Sequence, residues 1–307
     1  MNASHMRNLT TPIDHTYSEM FSGRVYRVGK GAASVRNHSG EAVHTVICVH
    51  GFLANHCYFT NTYDAPTTEL ILLTCSNYHI PVNGVTPEDA PWDNQIEPME
   101  GTVEYDACIL NQALVHLPST SNIRIHGHSR GAAVILEAII QQPELYHDIE
   151  VVLEAPALPQ GRLHPMVTGM LRHISYGMWP YLLRLINSTP STVYSQTFFG
   201  RMNPRKKALL TNVFSTTRDP LTIVRNIENI IEWMEHRDTS VLQLISKGYI
   251  LLPGTDRILD HTALMESARH CPARVSVVQT SSNSHFISLD DHSWLPELAP
   301  IASALPS

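Results

Sequence analysis

No uninterrupted apolar run in the 307 residues is long enough to cross a bilayer, which excludes a membrane-spanning helix on pattern alone. The first eleven residues lack the apolar stretch of a secretory leader, so a cytoplasmic protein is the expectation. Cysteines number five (Cys48, Cys57, Cys75, Cys108 and Cys271), odd in count and scattered without a CxxC pair. That pattern argues against a disulfide framework and a zinc site, and it suggests reduced, mostly buried thiols with no metal or other cofactor. Positive charge is short too: 21 Lys and Arg face 28 Asp and Glu, for a net charge of −7. Phosphate binding needs a basic surface, so nucleic acid is excluded as the main partner and an anionic membrane surface is disfavoured. There is no internal repeat and no low-complexity stretch. Oligomeric state is not encoded in any of these features.

What remains is an ordinary globular composition with a 43% apolar fraction, in a chain long for one core and short for two. One domain carrying an insertion is expected. Residues 44–49 and 69–74 are short apolar runs, read as strands buried on both faces, and 122–126, 150–153, 248–252 and 274–279 read as further strands. A further strand at 23–28 is expected at an edge. Helical spacing at 102–117, 131–142 and 261–270 alternates with these runs, and a last helical segment is expected after Ser293. Residues 81–100, rich in Pro, Asp, Asn and Gly, read as loop. Alternation stops between 156 and 237, where helices are predicted near 166–172, 179–186, 204–214 and 221–236. The pattern predicts an α/β fold with a doubly wound, mostly parallel sheet. Its core would comprise 23–155 and 238–307, with 156–237 as an inserted helical cap.

The strongest local signal is Gly127-His128-Ser129-Arg130-Gly131, set between an apolar strand and an apolar helix. In that context GxSxG is a tight strand-to-helix turn that presents the serine hydroxyl above the sheet, at a helix N-terminus. By itself the string would be an accidental glycine–serine turn. His50-Gly51-Phe52 follows the first buried strand and lies beside that turn in such a sheet. The backbone N–H groups of Phe52 and Arg130 can then pair as an oxyanion hole.

A serine nucleophile needs a base, and the base an orienting acid. Of 18 histidines, chain order selects His285, in the loop after the last core strand. His270 ends a helix, His292 sits where a surface helix should begin, and His50 and His128 read as loop or packing residues. The acid is Asp256, just beyond a strand end. Two carboxylates compete with it: Asp260, better read as the cap of the helix at His261, and Glu154, better read as a structural carboxylate paired with a hydroxyl or arginine.

Together His50-Gly51-Phe52, the Gly127–Gly131 turn, Asp256 and His285, in the order serine, acid, histidine, resemble the α/β-hydrolase superfamily. The likeness spans about 43–298, and the insertion after Leu153 is where that superfamily places its cap. It implies the fold, the triad and a hydrolytic default. Two departures stand out. Many capped members carry an Asp–Gly–Gly–Ser-like loop where this chain reads Cys75-Ser-Asn-Tyr-His-Ile-Pro81, and the nucleophile turn runs into Ala132-Ala133 instead of the more frequent Met-Gly-Gly.

In the insertion, Met166, Met170, Met178 and Trp179 with their leucines suit either the cap's own core or the lining of an acyl or alkyl pocket. The basic cluster from Arg201 to Lys207 reads as a solvated helix start in preference to a phosphate site. The expectation is a serine esterase acting on a small apolar ester through an acyl-enzyme, without stable membrane insertion. A thioesterase, an acyltransferase, a C–C bond hydrolase and a non-catalytic small-molecule-binding module are the alternatives; lid-driven attachment to lipid is disfavoured by the acidic balance.

Overall fold

The computed structural model describes residues 17–36, 40–93, 95–172, 199–210 and 216–298. The chain begins with β1 (Glu19–Met20), β2 (Gly23–Val28), β3 (Gly31–Arg36), β4 (His44–Val49) and β5 (Thr68–Thr74). Two short pieces, β6 (Val82–Asn83) and β7 (Glu88–Asp89), interrupt the segment expected as loop, and α1 (Val103–His116) follows. Next come β8 (Ile123–His128), α2 (Arg130–Gln141) and β9 (Glu150–Glu154). Helices α3 (Pro165–Arg172), α4 (Pro204–Leu210) and α5 (Pro220–His236) precede β10 (Lys247–Leu252), α6 (His261–Ala268), β11 (Val275–Gln279) and α7 (Ile287–Asp290).

Nine strands form one sheet in the order β11-β10-β9-β8-β4-β5-β3-β2-β7. From β11 to β5 every neighbouring pair is parallel; β3 runs antiparallel to both β5 and β2. The doubly wound, mostly parallel α/β arrangement read from the sequence is therefore the fold. The continuous apolar runs have a direct cause in this sheet. Ile47 and Val49 of β4 enter one core with Ile71 and Leu73 of β5, while Val46 and Cys48 enter the opposite core with Leu70 and Leu72. Successive side chains on a strand point to opposite faces, so covering both faces demands an unbroken apolar run.

Strand β3 lacked that signature in the sequence, because Gly31-Ala-Ala-Ser-Val-Arg is built of small residues. Its smallness is used: a Cβ on Gly31 would come within 2.6 Å of the Ile109 side chain of α1. Among the described residues, which end at 298, a helix not expected from the sequence, α7, begins at Ile287, two residues after His285, and a short turn of helix spans His292–Trp294; the rest of the segment expected after Ser293 lies outside them. Helix α1 starts on Thr102, whose side chain accepts the Tyr105 N–H, and α5 starts on Asp219, which accepts from Leu221 with Pro220 in the first turn. Asp260 caps α6 through the N–H groups of Thr262 and Ala263, as expected.

Between β9 and β10 the described residues contain helices and no strand. The helix expected at 179–186, with Met178 and Trp179, lies outside the described residues. The basic cluster is only half a solvated helix start: Arg201 and Lys207 are exposed, but Arg205 and Lys206 turn inward. Arg205 donates to Glu19, to the Cys57 carbonyl and to the Thr60 hydroxyl, and Lys206 is fully buried against Asp290 at 2.7 Å. Helix α4 turns these two cations inward because acceptors from Glu19 to Thr60 and in α7 lie beneath it. No described helix is long and apolar enough to cross a membrane. The five cysteines are all free, with Cys48, Cys57 and Cys75 buried.

Candidate active site

Ser129 joins β8 to α2 with φ 56° and ψ −118°, a backbone conformation costly for any residue but glycine. Its main chain is fixed on both sides: the N–H donates to the Glu154 carbonyl at 2.9 Å, and its carbonyl accepts from Ala132 and Ala157. The flanking glycines are required by contact. A Cβ on Gly127 would lie 2.7 Å from the Gly131 backbone, and one on Gly131 would lie 2.2 Å from the Val49 carbonyl oxygen. Gly51 packs just as tightly, since its Cβ would sit 2.9 Å from Ser129 Cβ. The His50-Gly51-Phe52 loop thus lies directly against the serine turn.

The His285 Nδ1 lies 2.7 Å from Asp256 Oδ2, and both side chains are almost wholly buried. The other Asp256 oxygen accepts the N–H groups of Ile258 and Leu259 at 2.7 and 3.1 Å. Burial alone would raise the Asp256 carboxyl. The His285 ring and the two backbone donors outweigh it and hold the group below its ordinary value. An ionised Asp256 keeps the proton on Nδ1 and leaves Nε2 free to accept one. Neither Asp260 nor Glu154 meets His285: Asp260 caps its helix, and Glu154 faces elsewhere.

Among the described residues no acceptor meets the backbone N–H of Phe52 or of Arg130. The first N–H groups of a helix have no partner within it, so the Arg130 amide at the start of α2 is available to an anion. The Arg130 guanidinium points the other way, into a buried pair with Asp106 at 2.7 Å. No group of three or more metal-ligating side chains occurs among the described residues.

Behind the serine lies a polar stripe that was not assigned from the sequence. Arg124, His126 and His128 alternate along β8 and face Glu150 and Glu154 on β9, with Arg124 paired to Glu150 and His128 to Glu154 in register. Glu154 is fully buried. It accepts from the Tyr58 hydroxyl at 2.5 Å, from the Ser288 N–H at 2.7 Å and from the Ser288 hydroxyl. His126 Nε2 sits 3.0 Å from the same carboxylate, though off the direction of a good hydrogen bond. Burial would raise the Glu154 carboxyl, but the His126 and His128 rings and Ser288 bring it down to about 2. His128 stacks on Tyr58 with centroids 4.4 Å apart, and its Nε2 lies 3.0 Å from the His285 carbonyl oxygen. A carbonyl only accepts, so the proton of neutral His128 is on Nε2. Burial pulls this histidine down to about 3. The sequence signal was present: polar residues at every second position of an otherwise apolar strand.

A second latch holds the other side of the His285 loop. Lys206 Nζ donates to the Ser284 hydroxyl at 2.9 Å and to Asp290. Asp290 also accepts from the hydroxyls of Ser282 and Ser284, at 2.9 and 2.5 Å. The loop carrying His285 is thus pinned from the insertion on one flank and from Glu154 on the other.

No protein-family model matches the chain, and no curated protein is similar in sequence. Solved structures are similar in shape. An esterase from Exiguobacterium antarcticum superposes with a TM-score of 0.62 at 15% identity, covering 88% of this chain and 95% of that one. A hydrolase from Oleispira antarctica gives 0.58 at 15% identity, over 85% and 90% of the two chains. The fold is that of the α/β-hydrolases. A deformylase from Pseudomonas putida shares this α/β-hydrolase architecture as well, with a TM-score of 0.58 at 11% identity over 88% and 96%. Within the α/β-hydrolase frame, the strand-to-helix turn at Ser129 and the loops after β4, β10 and β11 all open at the carboxyl edge of the parallel sheet.

Proposed function

We propose that the protein is a serine hydrolase that cleaves a carboxylic ester through an acyl-enzyme. The observation that carries this reading is the buried 2.7 Å pair of His285 and Asp256, at the same edge of the sheet as the strained Ser129 turn. In the attack, Ser129 Oγ bonds to the ester carbonyl carbon as its proton moves to His285 Nε2. The carbonyl oxygen becomes an anion held by the N–H groups of Phe52 and Arg130. Collapse breaks the bond to the alkoxide, which takes the proton from His285 and leaves. Water then attacks the acyl carbon, losing its proton to His285, and the acid departs as that proton returns to Ser129. Every proton is accounted for by one histidine, and no metal or cofactor enters the cycle.

Residues 156–237 act as a helical cap over the core of 23–155 and 238–307. Support comes from apolar packing between the two: Ile223 and Ile227 of α5 meet Phe52 and Leu53 of the oxyanion loop, along with Leu163 and Val167. An apolar rim of this kind suits a small substrate with an acyl or alkyl chain. The free thiols are in keeping with a reducing, cytoplasmic setting.

The test is a panel of activated esters and thioesters of graded chain length, run with the wild type and with Ser129→Ala. Ester turnover that vanishes in the variant supports the reading. Preference for thioesters, or transfer to an added alcohol or amine in place of water, would move the assignment to a thioesterase or an acyltransferase with the same triad. Absence of turnover together with retained binding of the esters would mark a binding module.

A further inference from the structure

The segment that departs from the usual α/β-hydrolase pattern, Cys75 to Pro81, supplies a tyrosine to the oxyanion loop. Leu53, next to Phe52, has φ 55°, an unusual conformation for a branched side chain. Its N–H donates to the Tyr78 hydroxyl at 3.2 Å. Tyr78 in turn donates to Asn226 Oδ1 at 2.9 Å, across 148 residues of sequence, on helix α5 of the insertion. Asn226 Nδ2 donates to the Gly101 carbonyl at 2.6 Å, which also accepts from the Arg130 guanidinium at 3.3 Å. Arg130 is held by Asp106, and the other Asp106 oxygen takes the Ser76 N–H at 2.7 Å. Tyr78, Asn226, Arg130, Asp106 and Ser76 are all buried.

The direction of each bond is fixed. The Gly101 carbonyl can only accept, so it takes the amide nitrogen of Asn226 and leaves Oδ1 for the tyrosine. Tyr78 has one proton, which goes to Asn226, so a lone pair is left for Leu53. The chain therefore starts at the loop carrying one proposed oxyanion donor, Phe52, and ends at the side chain of the residue carrying the other, Arg130. Its middle link belongs to the insertion. We infer that Tyr78 and Asn226 are positioning residues that fix the two oxyanion N–H groups relative to each other, so that helix α5 sets the rate of the chemical step. This inference rests on the hydrolase reading given above.

The test uses Tyr78→Phe, Asn226→Asp and the double variant in the full chain. Tyr146→Phe serves as a control, because the Tyr146 hydroxyl also makes a buried bond, 2.7 Å to Asn111, beyond the far end of α2. Each is assayed for kcat and KM on an activated ester, and for affinity toward an alkyl trifluoromethyl ketone, whose adduct with Ser129 carries an oxyanion. Losing one oxyanion donor outright costs on the order of 100- to 1000-fold in kcat, so misplacing one should cost about 10- to 100-fold. The expected result is that loss in kcat for Tyr78→Phe and for Asn226→Asp, with KM within about threefold and ketone affinity falling in step with kcat. The double variant should be no worse than the poorer single. Tyr146→Phe should lose stability with an unchanged rate. Tyr78→Phe and Asn226→Asp variants that behave like Tyr146→Phe, or that raise KM alone, would overturn the inference. If Tyr78→Phe does not fold, unchanged kcat and ketone affinity in Asn226→Asp suffice to overturn it. Turnover that survives Ser129→Ala would instead refute the hydrolase reading, a distinct outcome.

Discussion

Glu154 and Ser288 meet twice: the buried carboxylate takes both the backbone N–H and the hydroxyl of Ser288, three residues past His285. The Glu154 carbonyl also holds the Ser129 N–H. One residue at the end of β9 therefore touches the serine turn through its main chain and the histidine loop through its side chain. That arrangement separates Glu154 from Asp256, the carboxylate that meets His285, and it makes their variants behave differently.

Asp256→Asn should keep the Ile258 and Leu259 N–H groups satisfied while presenting an amide N–H to His285 Nδ1. The imidazole is then forced into the wrong tautomer, and kcat should fall by several orders of magnitude, about 10⁴-fold, with little loss of stability. Glu154→Gln should do the reverse. It replaces a buried acceptor of several hydrogen bonds with an amide, at about 1–3 kcal/mol of stability, while the rate falls far less. Paired measurements of kcat and of the urea midpoint distinguish the two; an Asp256→Asn enzyme retaining more than about a tenth of the wild-type rate would remove Asp256 from the acid role.

Acid should destabilise the fold well before the carboxylates protonate. Burial lowers His50 to about 4, and His56 and His128 to about 3, against an ordinary value of 6.5. The unfolded chain takes up these protons as pH drops through about 6.5, whereas the folded chain refuses them until about 4 to 3. Stability is therefore complete above the unfolded value and is lost as pH falls. Each such proton contributes about 1.4 kcal/mol per pH unit, so three would give a slope near 4 kcal/mol per unit around pH 5. The depressed carboxyls of Asp256 and Glu154 add a loss of the same sign below about pH 4. Urea titrations at pH 7, 6 and 5 measure this directly, and equal stability at all three would contradict the burial of neutral histidines.

Lys206 and Asp290 offer a third check. Lys206→Met strands a carboxylate that still faces two serine hydroxyls, and should cost about 2–4 kcal/mol, discounted because Asp290 retains some solvent contact. Adding Asp290→Leu should recover part of that loss, because an apolar pair replaces a half-broken ionic one. The double variant's denaturation midpoint decides: additive losses would mean that the two residues are not coupled.

The sheet was legible where burial on both faces demands apolar runs, as in β4 and β5; β11 is an edge strand with Ser276, Val277 and Gln279 exposed, and its reading rested on its β-branched residues instead. It was not legible in β3, whose small residues give no apolar run and where Gly31 lies close against Thr74 and the Ile109 side chain. Ser129, Asp256 and His285 could be read because turn chemistry and chain order constrain them. The Arg124, His126 and His128 stripe was visible as alternation, but its partners on β9 depend on strand pairing. Tyr78 and Asn226 could not have been paired from the sequence, because 148 residues separate them and only the folded insertion brings them together. Arg205 and Lys206 look like any exposed basic cluster until the acceptors under α4 are known.

Nucleophilic attack by Ser129 can be read from intact-protein mass after exposure to a fluorophosphonate, for the wild type and for Ser129→Ala, with ester turnover measured in parallel. Attack by an activated serine adds one phosphonyl group and releases fluoride. A single adduct is expected on the wild type, mapped to the peptide containing Ser129. The variant should carry no adduct and keep only the small rate left by binding and the oxyanion hole, with the fold intact. An adduct on another residue, or a variant that keeps more than about a tenth of the wild-type turnover, would contradict attack by Ser129.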